Sequence, residues 1–170
     1  PGSTPVEHPA NDTARLRSIE VFLCPSDFQN PNPQLGGATN YWGNLGSGVV
    51  FGTTTGPNAG MMPPDGTLFV NSRIRYRDIT DGTAKTAMFS ERVKCDGSNG
   101  LVDLRSDIFL ALTAPMTPDQ AMNDCRAIDT SNLANQFPIF MGAPWLRGMH
   151  SYMHVSPPND LSCGFFAVNR

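Results

Sequence analysis

No apolar run in the chain reaches the ~18 residues that a membrane-crossing helix needs. Its 4 cysteines form no Cys-x-x-Cys, and such wide spacing disfavours a zinc ribbon or a thioredoxin-like centre. No Gly-x-Ser-x-Gly elbow marks a serine hydrolase. The glycines at 43, 46, 48 and 52 lack the Gly-Lys-Ser/Thr sequence of a phosphate loop, which sets nucleotide binding aside. Charged residues make up only 16% of the sequence and the net charge is −3, so it lacks the basic footprint of a nucleic-acid binder.

Glycine and proline are abundant instead, at 16 and 15 of 170 residues. Both resist regular helix, so the composition predicts a loop-rich, β-leaning chain that depends on turn chemistry and cross-links. The length suits one domain spanning 1–170, with a Pro-rich extended lead-in over 1–14. Cys24, Cys95, Cys125 and Cys163 are an even set, which points to two disulfides and an extracytoplasmic setting. Three connectivities are open. Asn11-Asp12-Thr13 has the form of a glycosylation acceptor. The chain opens on Pro1 rather than methionine and reads as a piece of a longer protein.

The expected fold class is α+β: a loop-rich antiparallel sheet with one or few helices. Residues 16–23 and 39–41 read as strands, the first ending at Cys24-Pro25. The main sheet is expected around Leu68–Val70, Arg73–Ile79 and Thr86–Phe89. In Arg73–Ile79 the alternation places Ile74 and Tyr76 on one face and three arginines on the other. Asp81-Gly82 follows as a turn signal, since glycine accepts the positive φ of a tight reversal. Residues 118–127 are the best helix, capped by Thr117, opened by Pro118, and turning Ala121, Met122 and Cys125 inward.

Three constellations carry chemical potential. Asp78, Asp81 and Glu91 flank the turn and form a possible calcium or polar site, with Glu91 otherwise a buried ion-pair partner for a nearby arginine. Trp42 and Trp145 suit a glycan or peptide groove. His150 and His154 have the i, i+4 spacing of a zincin pair, but Ser151 stands where the general-base Glu belongs. On a strand the two imidazoles would be ~13 Å apart, too far for one metal. A half-exposed aromatic edge segment is the preferred reading there.

Five blocks together carry a family resemblance: Val21–Asp27, Asn40–Gly48, Arg73–Arg92, Trp145–Gly148 and Pro158–Cys163. In this order the chain resembles the large "domain of unknown function" family of planctomycete cell-envelope proteins, which carry a prepilin-type leader and resemble type II secretion pseudopilins. Ala84 and Lys85 replace the Ser-Asn usual in that family's central motif. The resemblance implies a pseudopilin-like globular domain and no established catalytic residues. It also implies membrane anchoring through an N-terminal helix outside this region, and protein subunits of a surface or filament-like assembly as partners. The leading expectation is therefore a non-enzymatic structural or interaction subunit with no cofactor. A calcium- or glycan-binding surface module is second, and a metal-dependent hydrolase using His150 and His154 is third.

Overall fold

A computed structural model describes residues 6, 8–29, 35–48, 64–69, 72–113, 115–137, 142–147 and 150–165. The fold is α+β and loop-rich, with five short strands and two α-helices among these residues. Strands β1 (Tyr41–Gly46), β2 (Phe89–Glu91) and β4 (Ser151–Met153) form one sheet in the order β2-β1-β4. Strands β3 (Phe109–Ala111) and β5 (Cys163–Phe165) form a second, two-stranded sheet. The sheets are mixed rather than antiparallel: β1 pairs antiparallel with β2 but parallel with β4, and β3 pairs parallel with β5. Parallel partners need long connections, which the loop-rich sequence supplies.

β1 runs farther than the expected 39–41 strand, straight through the glycines. Gly43 lies in van der Waals contact with Leu68, where a Cβ would be 3.1 Å from that residue's own Cβ. Gly46 has φ +114 where the strand shifts register against β4, and its backbone lies against Asp65-Gly66. These glycines therefore serve close backbone approach in a central strand.

The helix forecast is met. α2 spans Pro118–Arg126, the Gln120 amide donates to the Thr117 hydroxyl, and Ala121 and Cys125 are buried. Cys125 is bridged to Cys163, with Cα atoms 5.8 Å apart, which ties α2 to β5. Of the two disulfides expected this is the one formed; Cys24 and Cys95 are thiols.

Four strand assignments are corrected. Residues 16–23 follow helix α1 (Asp12–Arg15) and contain a 3-10 turn, Glu20–Phe22. Their carbonyls go elsewhere: Asn40 N–H donates to Phe22 O, and Trp145 Nε1–H donates to Arg17 O. The second half of the expected lead-in is likewise helical, at Pro9–Asn11 and α1. Arg73–Ile79 is not a hairpin strand either. The Asp78 carboxylate reaches back to the Arg75 amide at 2.9 Å and to its Nε at 3.2 Å, closing a 3-10 turn over Tyr76–Asp78. A local side-chain acceptor here outcompetes a ladder. Leu68 lies in a bend, and Val70 is outside the described residues. The next strand starts at Phe89 rather than Thr86, after a turn in which Gly82 takes φ +88.

Trp42, Cys95 and Ile108 form one small core cluster with Phe137 and Tyr152 against it. Ala121 anchors a second, with Met153, Val155 and Phe165. Polar side chains lie between and around these clusters.

Candidate functional site: a buried polar junction

The most heavily organised group of side chains is Asp27, Asn40, Arg92 and Lys94. Asp27 ends a turn in which its amide donates to Cys24 O at 3.1 Å. One carboxylate oxygen accepts from the Gln29 amide at 3.0 Å. The other accepts from Asn40 Nδ2 at 2.5 Å, the Lys94 amide at 2.8 Å and Lys94 Nζ at 3.0 Å. Burial alone raises the Asp27 carboxyl, but these bonds from Lys94, Gln29 and Asn40 bring it below its ordinary value of 3.8.

Asn40 is 1% exposed and sits just before β1. Its Oδ1 accepts from the Cys24 amide at 2.9 Å and from Lys94 Nζ at 3.2 Å, and Nδ2 donates to Arg92 O at 2.8 Å as well as to Asp27. All four hydrogen-bonding positions of its amide are used. Lys94 places its ammonium against Asp27 O at 3.2 Å, Asp27 Oδ2 and Asn40 Oδ1, matching three acceptors to three protons. The Lys94–Asp27 ion pair is only 5% exposed on each side. Such a pair is held by geometry, because each charge alone in that place would be costly.

Arg92 extends the network across the molecule. Its Nη2 donates to Ser106 O at 3.0 Å and Asp107 O at 2.7 Å, and its Nε to Ser162 Oγ at 3.3 Å. The guanidinium lies 5.1 Å from the centre of the Trp42 ring, a cation–π contact. Burial lowers its pKa to about 10, against the opposing influence of Cys95 and Asp107, so it stays charged at neutral pH. Beyond it, Asp107 is fully buried and accepts from the Asp103 amide at 2.7 Å and Gln136 Nε2 at 3.0 Å. Burial raises its carboxyl above 3.8, and neighbouring Asp96 and Asp103 push the same way.

His150 closes the far side of Trp42, with ring centres 5.7 Å apart. Its Nε2 donates to Pro144 O at 2.8 Å. Burial holds this imidazole below 6.5, and Arg147 adds to that effect while the Pro144 bond opposes it.

The expected site residues are not brought together in the expected ways. Asp78 is engaged with Arg75 and Arg77 at the surface, and Asp81 and Glu91 are exposed. The buried ion-pair partner is Asp27, with Lys94, rather than Glu91. Trp42 is core, whereas Trp145 packs on Phe22 with ring centres 5.6 Å apart and donates Nε1–H to Arg17 O. His150 is buried and committed to Pro144, while His154 is exposed beside Tyr152, just past the end of β4. Among the described residues no group of three or more His, Cys, Asp or Glu side chains could hold a metal ion. β4 does lie at the edge of its sheet, as the aromatic edge-segment reading has it.

Sequence reasoning missed Asn40, Lys94 and Asp27 as a unit. Their signal was present, because each sits inside or beside one of the five blocks. Asp27 ends the first block, Asn40 opens the second, and Arg92 ends the third with Lys94 two residues on. Trp145 of the fourth donates its amide to Gly37 O, and Ser162 of the fifth meets Arg92.

Residues 2–144 match the family described as protein of unknown function DUF1559. The chain belongs to this family. A search of curated proteins finds no match, and a search of solved structures also finds none.

Proposed function

We propose that this DUF1559 chain is a non-enzymatic structural or interaction module of an extracytoplasmic assembly, pseudopilin-like in kind, with other protein subunits as partners. The observation that carries the reading is where the polar motif side chains go. Asp27, Asn40, Arg92 and Lys94 spend their hydrogen-bonding capacity mainly on one another and on the backbone, and they join distant segments. Side chains so committed stabilise a scaffold and leave its surface to meet partners. The Cys125–Cys163 bridge is compatible with an oxidising compartment outside the cytoplasm. The likeness to planctomycete envelope proteins with a prepilin-type leader supports the same setting.

The test is fractionation of cells producing the native gene product, with crosslinking before lysis and thiol labelling under non-reducing conditions. The reading expects the protein in the envelope, crosslinked to protein subunits, with Cys125 and Cys163 refractory to labelling. A soluble cytoplasmic protein with all 4 cysteines labelled would overturn it.

A further inference from the structure

Two surface features have complementary chemistry and lie on different segments. One is a half-open apolar groove of about 410 Å³ whose lining includes Leu68, Ile74, Arg75, Tyr76, Ile79 and Met88, together with Thr67. Ile74 and Met88 are 43% and 39% exposed there, and the Thr67 hydroxyl is buried with no hydrogen-bond partner. A groove of this size with a few polar groups in an apolar wall is built like a recognition site. Its flank, Arg73 to Asp78, carries three arginines against one aspartate.

The second feature is the loop Leu101-Val102-Asp103-Leu104. Leu101 and Leu104 are 75% and 54% exposed, and Val102 is 40% exposed. Asp96 and Asp103 flank these aliphatic side chains, and Asp103 pairs with Arg105 at 3.3 Å, which leaves the loop a net negative charge. No residue of this loop lines the groove.

We propose that the groove of one molecule receives the Leu101–Leu104 loop of a second copy. Leu101 and Leu104 fill the apolar trough, and the arginine-rich flank faces Asp96 and Asp103. Because groove and loop are different surfaces, the contact is heterologous. It leaves one groove and one loop unused at the ends, so it propagates head to tail unless the rotation closes a ring. This pairing rests on the assembly reading above and names its contact. Ionic strength weakens it, since the charges lie at an exposed rim.

The test is sedimentation of the 170-residue chain over a concentration series, as wild type and as three variants. L101S/L104S removes the loop, and Ile74→Glu places a charge in the groove. Tyr76→Ala is a milder groove variant at a site 78% exposed, where folding is insensitive. Wild type should grow in mass with concentration beyond a dimer. Each variant alone should associate at least about tenfold more weakly. L101S/L104S mixed with Ile74→Glu should form a 1:1 dimer and stop, because each retains one intact surface. A wild type that assembles while all variants assemble equally overturns this contact but leaves the assembly reading standing. A wild type that remains monomeric at every concentration overturns self-pairing, and the crosslinking experiment then decides the assembly reading separately.

Discussion

The junction around Asn40 and the segment from Arg73 to Lys85 are both rich in charge, yet they hold together by opposite means. At the junction, the contacts that tie segments together span 13 to 70 positions of sequence, from Asp27–Asn40 through Asn40–Arg92 to Arg92–Ser162. In the second segment the bonds stay within four positions, as in Arg75 to Asp78 and Thr86 to Gly82. One region is buried and the other is largely exposed. The difference teaches that charge in this chain has two jobs: long-range buried charge fixes the fold, and local exposed charge shapes a surface.

The sharpest way to break this comparison is to remove Asp27. Asp27→Ala strands the buried Lys94 ammonium and should cost about 3–5 kcal/mol in urea unfolding. Removing the bridge with Cys125→Ser and Cys163→Ser should cost about 4 kcal/mol by chain entropy, given a separation of 38 residues. That variant sharpens the comparison by showing how much stability the α2–β5 tie adds beyond the junction.

Acid should separate the regions next. The folded Asp27 carboxyl lies below 3.8, so its contribution is present above that value and is lost as pH falls through the depressed folded value. The His150 imidazole is also depressed, so its neutral form favours folding and that contribution declines as pH drops below 6.5. Urea midpoints measured against pH should thus fall in two stages, and Asp27→Asn should shrink the lower one, to which the depressed carboxyls of Asp65 and Asp103 also contribute. The smallest effect is expected at Asp78. Its partners Arg75 and Arg77 are 64% and 70% exposed, so Asp78→Asn should cost no more than about 1 kcal/mol.

Much of this was legible in the sequence, and the parts that were not share a cause. Helix α2 was legible because Thr117, Pro118 and Asp119 are local signals read within one turn. The loop-rich class followed from glycine and proline content. Arg73–Ile79 was misread because its alternation is real, but Asp78 sits at the one distance from Arg75 that closes a turn. The junction was hidden because it is assembled from residues far apart: nothing near Lys94 announces Asp27, 67 positions away. The five blocks were nevertheless the right places to look. They hold points where distant segments meet, which periodicity does not reveal. The bridge between Cys125 and Cys163 was among the open pairings, and only the approach of α2 to β5 selects it.

Native-state hydrogen exchange tests the central claim most directly, by comparing the amides of Asn40, Arg92 and Lys94 with those of Arg75, Asp78 and Lys85. If the junction is the fold's cooperative centre, the first three should exchange only through global unfolding, tracking its free energy as denaturant is added. The other three should exchange through local opening with little denaturant dependence. Exchange of Lys94 and Asn40 as fast as that of Arg75 would contradict the account, because the buried charges would then be opening as freely as those on the surface.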